Sequence, residues 1–166
     1  MTNFPRYRDN QLSTDGSVAA FYERTFFVFS NFSSFQVEWK GKLWPTSEHA
    51  YQAARYMGIR DDLAEQIRNM RSAHEAYDFM RNNREDERPD WFNEKRAIMK
   101  DIVRCKLSQH KYVQQKLLDT GDALIVEDSP VDPYWGWGKD RKGENNLGKI
   151  WMELREELRG GKIKQL

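Results

Sequence analysis

Short apolar runs come first along the chain. Residues 18–22, "VAAFY", and 26–29, "FFVF", are apolar and aromatic between polar neighbours, which predicts two short strands. In "QVEWKGKLW" (36–44) apolar and polar residues alternate on either side of Lys40-Gly41. That predicts a hairpin with Gly41 at a positive φ. The period then lengthens. Ala50, Ala53, Ala54 and Met57 follow i, i+3, i+4, i+7, a stripe of small residues on a helix over 46–57. "RDDLAEQIRNM" repeats the spacing with Leu63, Ile67 and Met70. "SAHE" (72–75) is a capping box: Ser72 accepts from the Glu75 amide, Glu75 reaches back, and a helix runs to about Met80. After the charged connector "RNNREDERP", Asp90 caps a long helix with Trp91, Ile98, Ile102 and Cys105 on one stripe. A helix over 109–119 carries Val113 and Leu117 and stops at Gly121, a left-handed C-cap. "ALIV" (123–126) reads as a short strand or buried extended segment, and "LGKIWMELREELR" as a closing helix. The expected fold class is predominantly α (α+β), a single compact multi-helical domain with a small N-terminal β element.

Composition narrows the function classes. A chain of 166 residues suits one domain with its own core. With 27 basic against 26 acidic residues the net charge is +1, so bulk charge makes no case for nucleic-acid or membrane binding. Cys105 stands alone, which rules out an internal disulfide and fits a reducing compartment. No leader pattern and no apolar run near the roughly 18 residues of a membrane span are seen, so a cytoplasmic protein with no membrane partner is expected. Aromatics reach 13%, enough either to fill a core or to stack on flat heterocycles.

Three places carry candidate chemistry. In "WPTSEHAYQ" (44–52), with Thr46 as N-cap, Glu48 lies in the first helical turn, where free amides and the helix dipole favour a carboxylate. Glu48, Tyr51, Gln52 and Arg55 share a face opposite the alanine stripe. Either that face is solvated, as on an ordinary surface helix, or it lines a cleft. Lys42 is a candidate amine nucleophile if it is desolvated among Phe35, Trp39 and Trp44, and otherwise an exposed hairpin lysine. The loop "EDSPVDPYWGWGKDRKGENN" is long for a compact domain. It sets aromatics beside glycines and brings Lys139, Arg141, Lys142 and Lys149 near a helix start, a weak phosphate-binding signal. His49, His74 and His110 show no metal-ligand spacing, and neither a Walker loop, a dinucleotide fingerprint nor a nucleophile elbow occurs. No metal and no cofactor are expected.

"FSNFSSF" (29–35), "GKLWPTSEHAYQAARY" (41–56), "DWFNEKRAIMKDIVRCKLSQH" (90–110) and "VEDSPVDPYWGWGKDRKGENNLGKIWMELREEL" (126–158) resemble, in order, the YbiA-like or NADAR family. The resemblance spans about 21–159, leaving a polar arm over 1–20 and a tail over 160–166. It implies an N-glycosidase, a hydrolase that cleaves a ribose C1–N bond. Two substrates are implied: phosphoribosylaminopyrimidine intermediates of riboflavin synthesis, whose removal limits metabolite damage, or ADP-ribose attached to guanine in DNA or RNA. Carried onto this sequence, it marks Glu48 and Lys42, with Asp132 and Glu127, as catalytic. Asn31, Phe32, Tyr51, Gln52, Trp91, Trp135, Gly136, Asn145, Leu147 and Gly148 are marked as substrate-binding. Trp137 departs from the Asp that the family often carries there, which puts substrate preference in question.

An N-ribosyl bond breaks through an oxocarbenium-like state. Glu48 would stabilise that cation while Asp132 or Glu127 activates water; alternatively the Lys42 amine attacks C1 to give a ring-opened imine. A non-catalytic module binding ADP-ribose or NAD, and the antidote partner of a toxin, are the competing readings.

Overall fold

The computed structural model describes residues 15–22 and 26–166; most of the arm expected over 1–20 lies outside them. The chain forms two compact units. The terminal unit comprises the described residues up to Ser30 and those from His110 onward, and the middle unit is Asn31–Gln109. Both are helix-rich, and the strands among the described residues are few and short, as the expected α-dominated class requires.

In the terminal unit, β1 (Val18–Phe21) pairs in parallel with β2 (Leu124–Glu127), Val18 opposite Leu124 and Phe21 opposite Glu127. All four β1 residues are buried, which is why their sequence reads as an unbroken apolar run. The strand expected over 26–29 is instead a 3-10 turn, Phe27–Phe29. A strand would put Phe26 and Phe29 on opposite faces. The turn, at three residues per revolution, stacks their rings 5.6 Å apart and nearly parallel. Phe29 then meets Trp151, whose indole N–H donates to the Phe29 carbonyl at 2.9 Å. Helix α1 (Lys111–Asp119) ends where Gly121 takes φ +51°, the left-handed position foreseen. Helix α2 (Asn146–Arg159) packs on β2.

In the middle unit, β3 (Val37–Trp39) and β4 (Lys42–Trp44) form the expected hairpin. Lys40 and Gly41 both have positive φ, +50° and +72°, the signature of a two-residue I′ turn. Helix α3 (Ser47–Ala54) is central, packed against α4 (Asp61–Arg68), α5 (Ala73–Asn82) and α6 (Trp91–Gln109). It is shorter than the predicted 46–57. Its Ala50, Ala53 and Ala54 let these neighbours come close. The capping box at α5 is half right. The Glu75 amide donates to Ser72 Oγ at 3.1 Å, but the Glu75 carboxylate takes the amide of Arg71, not that of Ser72. The stripe predicted on α6 is rotated. Trp91, Met99, Ile102, Val103, Lys106 and Leu107 are buried, whereas Ile98 and Cys105 are only half-buried. Among the described residues no helix is long and apolar enough to cross a membrane, and no cluster of three or more His, Cys, Asp or Glu could hold a metal ion.

Candidate active site

The residues singled out from sequence fall in both units, and each set has its own geometry. In the middle unit everything turns on the start of α3. Thr46, extended at φ −147°, is its N-cap, and Thr46 Oγ1 accepts from the His49 amide at 3.3 Å. The same oxygen lies 2.8 Å from His49 Nδ1, and His49 Nε2 lies 3.1 Å from the Met70 carbonyl. A carbonyl only accepts, so Nε2 carries the hydrogen and Nδ1 accepts the threonine hydroxyl. Burial pushes the His49 pKa below its ordinary value, which keeps this neutral tautomer in place.

One residue before His49 lies Glu48, only 4% exposed. Its amide donates to the Asn31 carbonyl at 3.0 Å, tying the Ser-Asn-Phe segment to the helix start. Its Oε1 accepts from Gln52 Nε2 at 2.6 Å. Gln52 Oε1 accepts from Arg55 Nε at 2.8 Å, and Arg55 Nη1 meets Glu87 Oε2 at 2.6 Å. The Arg55 guanidinium lies over the Trp91 ring at 4.4 Å and near Tyr51 at 5.7 Å; the two rings are 5.0 Å apart. Every residue of α3 is buried, so the solvated-face alternative does not describe this helix. Asn31 is only 7% exposed, and among the described residues its Oδ1 has no hydrogen-bond partner. Its Nδ2 has only the Met99 sulfur at 3.1 Å, a weak acceptor. Asn31, Glu48, Tyr51, Gln52 and Trp91 thus form one connected group.

Lys42 and Phe32 have contacts of their own within the unit. The condition for a nucleophilic Lys42 amine is not met: 47% of its side chain is exposed, and it pairs with Glu65 at 3.1 Å. Phe32 packs edge-on against His74, ring centroids 4.9 Å apart. A different lysine of this unit is desolvated, one that no motif marks. Lys106 is wholly buried, its Nζ 2.7 Å from Ser33 Oγ and 5.1 Å from the Phe35 ring centre, and burial pushes its pKa down to about 7. A signal was present, because Met99, Ile102, Val103 and Lys106 follow i, i+3, i+4, i+7.

In the terminal unit the long loop is knitted to itself. Amides of residues 143–147 donate to the carbonyls of Trp137, Pro133, Gly136, Tyr134 and Trp135 in turn, at 2.7–3.1 Å. Asn145, left-handed at φ +52°, accepts from the Glu127 amide at 3.0 Å and donates to the Ile125 carbonyl at 2.9 Å. A Cβ at Gly136 would lie 2.5 Å from the Glu127 carbonyl, and one at Gly148 2.2 Å from that of Ile125. Leu147 is 1% exposed. Asp132 Oδ1 accepts the amides of Tyr134 and Trp135 at 2.9 and 2.8 Å. Glu127 is half-buried at the end of β2, and Trp135 is half-buried with its ring edge-on to Tyr134. Trp137 packs with Val18 and Val126 in the core, while Arg141, 6.0 Å from its ring centre, meets Asp128 at 3.6 Å. Burial pushes the Asp128 carboxyl up, and Arg141 opposes that.

Known proteins share this arrangement of segments. A protein named N-glycosidase YbiA from Shigella boydii serotype 4 is 39% identical over 130 residues, covering 78% of this chain and 80% of its own length. A chloroplastic riboflavin biosynthesis protein PYRR of Zea mays is 33% identical over 159 residues, covering 87% of this chain and 26% of its own. The solved NMR structure of the E. coli protein YbiA superposes with a TM-score of 0.80 at 34% identity, covering 96% of both chains. The model of the NADAR domain matches residues 11–159, and the chain belongs to the NADAR, or YbiA-like, family.

Proposed function

We propose that the protein is an N-glycosidase that hydrolyses the ribose C1–N bond of a phosphorylated ribosylamino-heterocycle. The observation that carries this reading is Glu48, a buried carboxylate at a helix start that accepts from Gln52. As the C1–N bond breaks, positive charge develops on the sugar ring, and a carboxylate fixed in a low-dielectric setting stabilises it without reorganising. Water then adds to C1, its oxygen forming the new bond and one proton ending on the departing amine. The products are a free sugar phosphate and an amino-heterocycle. Asn31 Oδ1, without a hydrogen-bond partner among the described residues and carried by the segment that binds the Glu48 amide, is the acceptor we assign to a ribose hydroxyl. Direct hydrolysis is preferred over the imine route, because Lys42 is exposed and paired with Glu65 rather than enclosed beside a sugar carbon.

Similarity to proteins named for riboflavin biosynthesis, from maize and from Vibrio vulnificus, favours phosphoribosylaminopyrimidines as the substrate class. The test is to incubate the purified protein with a phosphoribosylaminopyrimidine and, separately, with an oligonucleotide carrying ADP-ribosylated guanine. Release of ribose phosphate from the first is expected. Release of ADP-ribose from the second alone would move the assignment to guanine repair. Tight ADP-ribose binding with no release from either would make the chain a binding module.

A further inference from the structure

We propose that Arg55 is a positioning residue that, through Gln52, fixes Glu48 as an oriented and charged acceptor. This rests on the reading of Glu48 as the reacting carboxylate. A glutamine amide has a donor end and an acceptor end, and either could be turned toward Glu48. Arginine settles which. A guanidinium has donors only, and Arg55 Nε lies 2.8 Å from the near end of the Gln52 amide, so that end is the oxygen. The far end, 2.6 Å from Glu48 Oε1, is then the NH₂ group, and Glu48 must accept. The opposite orientation would set donor against donor at Arg55.

The spacing builds the relay. Glu48 and Gln52 are i, i+4 and Gln52 and Arg55 are i, i+3, so the three side chains climb one face of α3 and its C-cap, Arg55, whose backbone is still helical. Arg55 is in turn held on several sides: by Glu87 at 2.6 Å, by the Trp91 ring at 4.4 Å and by the Tyr51 ring at 5.7 Å, with 14% of its side chain exposed. Tyr51 and Trp91, expected from the family resemblance to touch substrate, here form the wall that keeps the guanidinium from swinging away. A hydrogen bond given to the charged form of a carboxylate favours that form. The effect of Arg55 therefore falls on the chemical step rather than on substrate affinity.

Three variants test this. Arg55→Met keeps the length and removes the donors, Arg55→Lys keeps a donor and a cation, and Gln52→Glu keeps the acceptor toward Arg55 but turns an acceptor toward Glu48. Proton–nitrogen correlation spectra of the Gln52 side-chain amide are recorded for the Arg55 variants. For all three variants, kcat and KM are measured on a phosphoribosylaminopyrimidine and on the ADP-ribosyl-guanine oligonucleotide. In the native protein the Gln52 amide protons should be well separated, one shifted downfield by Glu48. In Arg55→Met they move to free-amide positions and kcat falls about 10- to 100-fold, the scale of one hydrogen bond to a charged group, with KM nearly unchanged. Arg55→Lys restores most of the loss, and Gln52→Glu loses at least as much as Arg55→Met. An unmoved Gln52 resonance in Arg55→Met, or native kcat in Gln52→Glu, overturns the proposal. Glu48→Gln is assayed in parallel. If it turns over normally, the underlying reading of Glu48 fails. If it is inactive while Arg55→Met is fully active, only the role of Arg55 fails.

Discussion

Two requirements coincide at Glu48. The first turn of α3 offers free amides and the positive end of the helix dipole, and Gln52 adds a donor directed at the carboxylate. Replacing Glu48 with Gln leaves size and burial nearly unchanged and removes the charge. Turnover should fall about 100- to 1,000-fold, the scale of losing one pre-organised electrostatic partner, while the thermal midpoint moves by only a few degrees. Lys42→Ala, by contrast, should keep turnover within about threefold, and borohydride under turnover should trap no adduct, because that amine is exposed and ion-paired. An adduct at Lys42 would bring back the imine route. The shared face of Glu48, Tyr51 and Gln52 was legible from spacing alone. That the face is buried was not, since a helix with one polar side looks the same until three other helices close around it. Asp132, which with Glu127 is a candidate for activating water, also has a local part to play: its Oδ1 accepts two loop amides. The Asp132-Pro133 pair that follows "SPV" is a turn signal in its own right.

Elements explain why motif residues need not touch substrate. The loop before α2 was picked out from sequence for its aromatics and glycines, but Gly136, Asn145, Leu147 and Gly148 all serve to hold loop, strand and helix together. Gly148→Ala would drive a methyl group into the Ile125 carbonyl, 2.2 Å away, and force α2 off β2. A loss above about 2 kcal/mol is expected in urea unfolding. Gly121→Ala, with open space around it but φ +51°, should lose only about 1 kcal/mol. The N-cap of α3 gives a different pairing. Thr46→Ala removes the acceptor of the His49 amide and the hydroxyl given to the His49 ring, so about 1–2 kcal/mol should be lost; Thr46→Ser should restore both. Caps and the I′ turn were readable because they depend on neighbours in sequence. The 3-10 turn at Phe27–Phe29 was not, because Trp151, which packs on the Phe29 ring and bonds its carbonyl, lies far away in sequence.

At the scale of the molecule, two buried bases shape how stability responds to pH, and they act at opposite ends. Unfolded, His49 titrates near its ordinary value of 6.5; folded, burial holds it lower. As pH falls through 6.5 the unfolded chain therefore takes up a proton first, and stability declines until the folded pKa is reached. Lys106 works the same way on the alkaline side. Its folded pKa of about 7 lies below the ordinary 10.5, so across that window the unfolded chain holds the extra proton. Raising the pH strips that proton and stabilises the fold, with a slope of up to about 1.4 kcal/mol per pH unit. Lys106→Met removes the titrating group and keeps an apolar chain of similar length. Its urea midpoint should exceed the native one at pH 7, and the gap should close steadily toward pH 10. Since the bond from Lys106 to Ser33 Oγ is lost in the same variant, Lys106→Met with Ser33→Ala is a useful second comparison. A constant gap from pH 7 to 10 would mean that Lys106 keeps its proton when buried, with groups around it compensating the charge.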